Sequence, residues 1–219
     1  MTEKILCVKN LSFSYKKEYI LENIYLEIEK GDFSLLIGEN GAGKSTLLKI
    51  IFGELKDYEG EISFDLLKSP HKISYVPQLS AADRLNFPIT VKELLSLGIY
   101  PRIGPFKRLS RENEKQINRV LEITGMEDFK NHIFGQLSGG QRQRILIAKA
   151  IVNDIEFLIL DEPTAGIDLK SKESLFDLLK YFNEEKNISI FMVTHEPKDF
   201  ENLANKIYKI EDKKLERVK

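Results

Sequence analysis

Cysteine is almost absent from this chain: Cys7 stands alone among 219 residues. An internal disulfide is therefore impossible, and a reducing compartment is expected. Cys7 lies in the apolar run Ile5-Leu6-Cys7-Val8 and reads as a small buried strand residue. Long apolar runs are missing too. No segment approaches the roughly 18 consecutive apolar residues of a membrane span, so any work at a membrane is done as a peripheral subunit. The start, Met1-Thr2-Glu3-Lys4, leads straight into a strand and predicts no signal peptide. A surplus of either charge is missing as well: 33 Lys and Arg face 34 Asp and Glu, for a net charge of −1. That balance leaves no electrostatic footprint for nucleic acid or anionic lipid. There are no internal repeats, low-complexity tracts or Pro-rich linkers. No His/Cys/Asp cluster points to a bound transition metal, and His71 and His132 read as surface residues.

What is present is a chain 42% hydrophobic and 31% charged, a balance that builds a globular core and argues against disorder. Its length suits one larger α/β domain, or a core with an appended subdomain. Ile24, Leu26 and Ile28 alternate with polar neighbours, which predicts a strand with one buried face. Phe33 to Ile37 is a short apolar run of the kind found in buried parallel strands. Ser45 to Phe52 reads as a helix stopped by Gly53. Glu61 to Phe64 and Ile73 to Val76 read as further strands. Val91 to Leu97 is helical, and Pro101, Gly104 and Pro105 are expected to break the chain. Ile117, Val120, Leu121 and Thr124 recur at helical spacing up to Gly125, and Arg142 to Val152 forms another helix. Phe157 to Leu160 restores a buried strand. Leu175, Leu178, Leu179 and Phe182 make a helical stripe leading to the strand Ile188 to Val193. Strands alternating with helices predict a mainly parallel sheet. The helical texture of 87–152 predicts a subdomain inserted between core segments 1–86 and 153–219.

Three motifs carry the chemistry. Gly38-Glu39-Asn40-Gly41-Ala42-Gly43-Lys44-Ser45 fits the phosphate-loop pattern G-x-x-x-x-G-K-[ST] between an apolar strand and a helix. Its glycines let backbone N–H groups converge on a triphosphate, and the following helix adds the positive end of its dipole. Lys44 is expected to reach the β- and γ-phosphates, Ser45 to ligate Mg²⁺, and Thr46 to contact the α-phosphate. A dinucleotide fingerprint is disfavoured, because Thr46 stands where its third glycine belongs. The second motif, Asp161-Glu162, ends a buried strand, where open α/β sheets place ligands. Adjacent strand residues point to opposite faces, so their roles can differ: Asp161 holds Mg²⁺ through water, and Glu162 deprotonates the attacking water.

The third motif is Leu137-Ser138-Gly139-Gly140-Gln141. Alone it is a Gly-containing turn. Between a phosphate loop and an acidic strand end, it resembles the signature of the ATPase subunits of ABC transporters, and the resemblance covers essentially the whole chain. It implies a phosphate-loop (RecA-like) α/β core with an N-terminal antiparallel β subdomain and an inserted helical subdomain. It also implies ATP and Mg²⁺ as cofactors and an ATP-dependent head-to-tail homodimer. In that dimer Ser138, Gly139, Gly140 and Gln141 cover the γ-phosphate bound by the partner. Other roles follow by similarity. Tyr15 stacks on adenine. Gln78 senses Mg²⁺ and the attacking water. Asp168, in Ala165-Gly166-Ile167-Asp168, speaks across the dimer. His195, after the last core strand, contacts the γ-phosphate. The family more often has Leu where Ile167 stands.

Other classes of nucleotide protein fit less well. A GTPase would carry Asn-Lys-x-Asp, and Asn205-Lys206-Ile207-Tyr208 lacks the Asp. A soluble ABC-type ATPase of iron–sulfur cluster assembly is a remaining alternative to a transporter subunit. The stretch from Tyr75-Val76-Pro77-Gln78 through Phe87-Pro88-Ile89-Thr90-Val91 to Gly98-Ile99-Tyr100-Pro101-Arg102 resembles importers of zinc or manganese. Importers of iron-siderophore, haem or cobalamin share much of it. The implied partners are integral membrane permease subunits, with a substrate-binding protein contacted indirectly. The implied location is the cytoplasmic face of the cell membrane. Leu79, Leu85, Phe87 and Ile89 are more apolar than a loop requires, and are the expected lining of a permease dock.

Overall fold

A computed structural model describes residues 3–64, 72–78, 88–103 and 109–219. The chain opens with strands β1 (Lys4–Ser14), β2 (Tyr19–Glu29) and β3 (Phe33–Gly38), then helix α1 (Lys44–Ile51). Strands β4 (Glu59–Ser63) and β5 (Ile73–Val76) precede helices α2 (Val91–Ile103), α3 (Arg111–Ile123) and α4 (Gly139–Ile151). Strand β6 (Phe157–Asp161), helix α5 (Leu169–Glu184) and strands β7 (Ser189–Val193), β8 (Lys206–Glu211) and β9 (Lys214–Arg217) complete the order.

The strands form two sheets, one in the order β2-β1-β4 and one in the order β5-β6-β7-β3-β8-β9. The first is antiparallel, with β1 in its centre. The second is parallel from β5 to β8, and only β9 runs against its neighbour. The expected class, a mainly parallel α/β core with an antiparallel portion near the N-terminus, is the one observed.

The parallel sheet is buried on both faces, and its side chains divide by alternation. From β6, Phe157 and Ile159 join β1, β2 and α1 in one apolar core. Leu158 and Leu160 join α2, α3, α4 and α5 in the other. In β7, Phe191 and Val193 take the first core and Ile190 and Met192 the second. The second core is continuous from the sheet to α2 and α3, so the helices between β5 and β6 share the apolar interior of the sheet. Cys7 is a buried strand residue. Lys206 is buried and pairs with Glu29 and Asp32, each at 2.7 Å, tying the turn between β2 and β3 to β8.

The proline rule misplaced one boundary. Pro101 does not break the chain; it lies inside the last turns of α2. A proline ring deprives the carbonyl four residues earlier of its donor. Here that residue is Leu97, on an exposed side of the helix where water can replace the bond. α2 also approaches α4 closely at Gly98, where a Cβ would come within 2.9 Å of the Lys149 carbonyl. Asn153 donates to the Gly98 carbonyl at 2.5 Å and secures the crossing. Helix α4 begins at Gly139, ahead of the expected Arg142, because Ser138 and Gln141 form a reciprocal capping box.

A second close crossing joins α4 to α5. A Cβ on Gly140 would land on the Cβ and Oγ of Ser171. Overpacking of this kind costs about 1–3 kcal/mol. Gly140→Ala is therefore expected to lower the urea-unfolding free energy by about that amount, and adding Ser171→Gly should return part of it. Unchanged stability in Gly140→Ala would contradict the crossing.

Candidate ATP site

Phosphate-loop backbone geometry comes first. Gly43 caps α1 with φ 106°, in the left-handed region that favours glycine. A Cβ there would also stand 2.8 Å from Cδ2 of Leu21. The loop therefore needs glycine for both torsion and space. Lys44 is 6% exposed, and its Nζ donates to the carbonyls of Gly38 at 2.7 Å and Glu39 at 2.9 Å. The ammonium is held over the mouth of its own loop. Ala42 donates its backbone N–H to the Glu39 carbonyl at 3.2 Å and closes the turn.

Strand β6 delivers the carboxylates. Asp161 is its last residue, and Glu162 turns out of the strand at φ 45°. That strained torsion redirects Glu162 toward β7. Its backbone N–H donates to the Val193 carbonyl at 2.9 Å. Its Oε2 lies 2.7 Å from Nδ1 of His195 and accepts the His195 backbone N–H at 3.3 Å. The Glu162 side chain is buried, while that of His195 is 43% exposed. Asp161 is buried, and desolvation raises its pKa above the usual carboxylate value. A hydrogen bond from Tyr75 opposes that rise, the Glu162 charge adds to it and the Lys44 charge opposes it.

These elements meet in one cleft of about 370 Å³, lined by Tyr15, Ile20, Asn40, Gly41, Gly43, Lys44, Ser45, Thr46, Gln78, Glu162 and His195. Ten residues expected from the sequence thus share one concavity. Gly38, Ala42 and Asp161 are not among its lining residues: Gly38 accepts from Lys44, Ala42 lies between Gly41 and Gly43, and Asp161 precedes Glu162. Tyr15 is 56% exposed, braced edge-on by Phe13 at 4.9 Å between ring centres, and so offers a free aromatic face. Ile20 is a lining residue that sequence reasoning missed, because an apolar residue in a strand gives no signal of its role. Tyr75 donates its hydroxyl to Oδ2 of Asp161 at 3.3 Å, a contact that no local sequence pattern signals.

The remaining expected residues gather elsewhere. Ser138, Gly139, Gly140, Gln141 and Asp168 do not line this cleft. They lie together where α4 and α5 begin. A Cβ on Gly139 would stand 3.3 Å from the Gly166 carbonyl. Ser138 accepts the Gln141 N–H at 3.3 Å, and Asp168 accepts the Ser171 N–H at 3.0 Å and its hydroxyl at 2.7 Å. Those Ser171 bonds lower the Asp168 pKa. The signature is thus a second patch at a helix N-terminus, with Ser138 exposed and Gly140 buried. Of the other histidines, His132 is exposed, and His71 lies outside the described residues.

Residues 21–165 match the family described as ABC transporter. The chain belongs to the ABC transporter family. It is 42% identical over 198 residues to the zinc uptake system ATP-binding protein ZurA of Listeria innocua, covering 88% of this chain and 77% of that protein. It is 38% identical over 200 residues to the manganese transport system ATP-binding protein MntB of Listeria monocytogenes, covering 90% of this chain and 81% of that protein. Among solved structures, the dimeric bacterial ABC transporter cassette MJ0796 superposes with TM-score 0.78 at 31% identity, covering 97% of each chain. The same cassette in a post-hydrolysis dimer bound to ADP and Pi gives TM-score 0.76 at 29% identity, over 98% of this chain and 99% of that one. As a member of the ABC transporter family, this chain binds nucleotide and hydrolyses ATP.

Glu162 is the carboxylate that lines the cleft, and its expected role is to take a proton. Glu162→Gln keeps size and shape and removes the base. Steady-state ATP turnover is expected to fall by about 10²–10⁴-fold, the usual range for a lost general base, with ATP affinity retained. Turnover at the parent rate in Glu162→Gln would remove Glu162 from that role.

Proposed function

We propose that this chain is the ATP-hydrolysing subunit of a metal-ion importer of the zinc or manganese class, working with Mg²⁺ on the cytoplasmic face of the cell membrane. The observation that carries the reading is the convergence of Tyr15, the phosphate loop, Gln78, Glu162 and His195 on one cleft. The identities with zinc and manganese uptake subunits supply the substrate class. No helix among the described residues is long and apolar enough to cross a membrane, so transport requires permease partners.

In this reading the adenine stacks on Tyr15, and the loop from Gly38 to Ser45, with Thr46, wraps the phosphates. Lys44 exchanges its two carbonyl partners for phosphate oxygens. A few oxygen donors with phosphates around them suit Mg²⁺, which seldom takes an all-protein cage. Ser45, Gln78 and Asp161 are the groups that would hold it. The desolvated Asp161 carboxylate, which feels the Lys44 charge but makes no direct ion pair among the described residues, fits a cation of that kind. When bound, the ion neutralises charge developing on the phosphates. Glu162 takes the proton of the attacking water. His195 orients Glu162 through the 2.7 Å contact and turns its exposed edge to the γ-phosphate.

The signature patch completes the site in a second copy. Ser138 and the N-terminus of α4 are formed but do not line this chain's own cleft, which suits an anion clamp acting in trans. ATP then acts as interface glue, and closure and reopening drive the permease. The division into core 1–86 and 153–219 and helical block 87–152 belongs to this proposal. So does the permease dock after Gln78. Of its expected lining, Leu79, Leu85 and Phe87 lie outside the described residues, and Ile89 packs against the larger core.

Two experiments test the reading. In light scattering, Glu162→Gln should be monomeric alone or with ADP and dimeric with ATP, and adding Ser138→Arg should abolish that dimer without reducing ATP binding. A dimer that survives Ser138→Arg contradicts the head-to-tail arrangement. Membrane vesicles carrying this chain with its permease partner should take up radioactive Zn²⁺ or Mn²⁺ when loaded with ATP, and Lys44→Ala should stop the uptake. Transport of an iron-siderophore, haem or cobalamin in place of the bare ion would overturn the substrate class.

A further inference from the structure

One side chain joins Asp161 to the far end of α1 without lining the cleft. Tyr75 sits in β5, the strand that runs to Gln78, and pairs in register with Ile159 of β6. Ile159 and Asp161 lie two residues apart and project from the same face of the sheet. The hydroxyl of Tyr75 reaches diagonally along that face to Oδ2 of Asp161 at 3.3 Å. Its ring packs on Phe52 with centres 4.5 Å apart. Phe52 caps the C-terminus of α1, the helix whose N-terminus is the phosphate loop.

Packing alone does not call for the hydroxyl, since a phenylalanine would fill the same space against Phe52. A buried carboxylate does call for a donor. Among the described residues, no other side chain donates to Asp161, whose burial leaves it poorly solvated. We propose that Tyr75 is a positioning residue for the metal site: its hydroxyl holds Asp161 by Oδ2 and leaves Oδ1 for the water shell of Mg²⁺. The inference rests on the reading of Asp161 as the carboxylate that holds the ion. It assigns Tyr75 to the outer shell that orients metal ligands, where loss of a partner usually costs about 10–100-fold in metal affinity. It also gives the strand leading to Gln78 a direct mechanical link to the metal carboxylate. A shift of β5 then moves the donor on Asp161 along with Gln78.

The test uses Mn²⁺ as a paramagnetic stand-in, in the Glu162→Gln background saturated with ATP, with free Mn²⁺ read from its EPR signal. Tyr75→Phe should weaken Mn²⁺ binding by about 10-fold while metal-free ATP binding stays at the parent value. Phe52→Ala, which keeps the hydroxyl but removes its backing, should weaken Mn²⁺ in the same direction. Asp161→Asn should lose Mn²⁺ more completely than either. If Asp161→Asn loses Mn²⁺ while Tyr75→Phe and Phe52→Ala bind it as the parent does, the positioning role is wrong and the metal reading stands. If Asp161→Asn also binds as the parent does, the metal reading itself fails and takes the Tyr75 role with it.

Discussion

Parallel pairing of β3, β7 and β6 is the constraint from which the site follows. In a parallel sheet every strand ends at the same edge. β7 lies between β3 and β6, so the loops after the three strands must emerge side by side. The loop after β3 carries Glu39 to Gly43 and leads into Lys44, the turn after β6 carries Glu162, and the turn after β7 carries His195. Residues more than a hundred positions apart in sequence are thus adjacent before any side chain makes a contact. The two apolar cores that clamp the sheet hold this register, because a slip by one residue would send Leu158 and Ile159 to the wrong faces.

On that scaffold the reactive groups are held by one another. Lys44 rests on carbonyls of its own loop, His195 on Glu162, and Asp161 on Tyr75. Each contact satisfies a group that would be costly to leave unpaired in a partly desolvated cleft. Each also points the group near its working position. In the proposed reading, nucleotide binding is an exchange of partners with little rearrangement, which is the condition for electrostatic preorganisation. The left-handed torsion of Glu162 belongs to the same design, since it breaks the strand's alternation and turns this carboxylate toward His195.

Much of this was legible in the sequence, for identifiable reasons. Buried strands such as Phe157 to Leu160 are apolar on both faces and stand out as runs. The Leu175 to Phe182 stripe announced α5, and the phosphate loop declared its own chemistry. Boundaries were less legible where local rules compete with tertiary ones. Pro101 breaks helices by rule, yet an exposed last turn tolerates it. Helix α4 starts early because Ser138 and Gln141 cap it, a pattern visible in Ser138-Gly139-Gly140-Gln141 but read only as a signature. Tyr75 was illegible as a partner of Asp161, because the contact spans 86 positions and depends on the register between β5 and β6. Ile20 entered the cleft for a similar reason, through the fold of β2 beside the phosphate loop.

The central claim is that one chain supplies the cleft and a second supplies the clamp. An experimental structure of Glu162→Gln with ATP and Mg²⁺ tests it most directly. The account predicts two copies head to tail, with Lys44 released from the Gly38 and Glu39 carbonyls onto the γ-phosphate. Ser138 of the opposite copy would then stand within hydrogen-bond distance of that same phosphate. ATP bound with Lys44 still on its loop carbonyls, or with the γ-phosphate open to solvent and no second copy over it, would contradict the account.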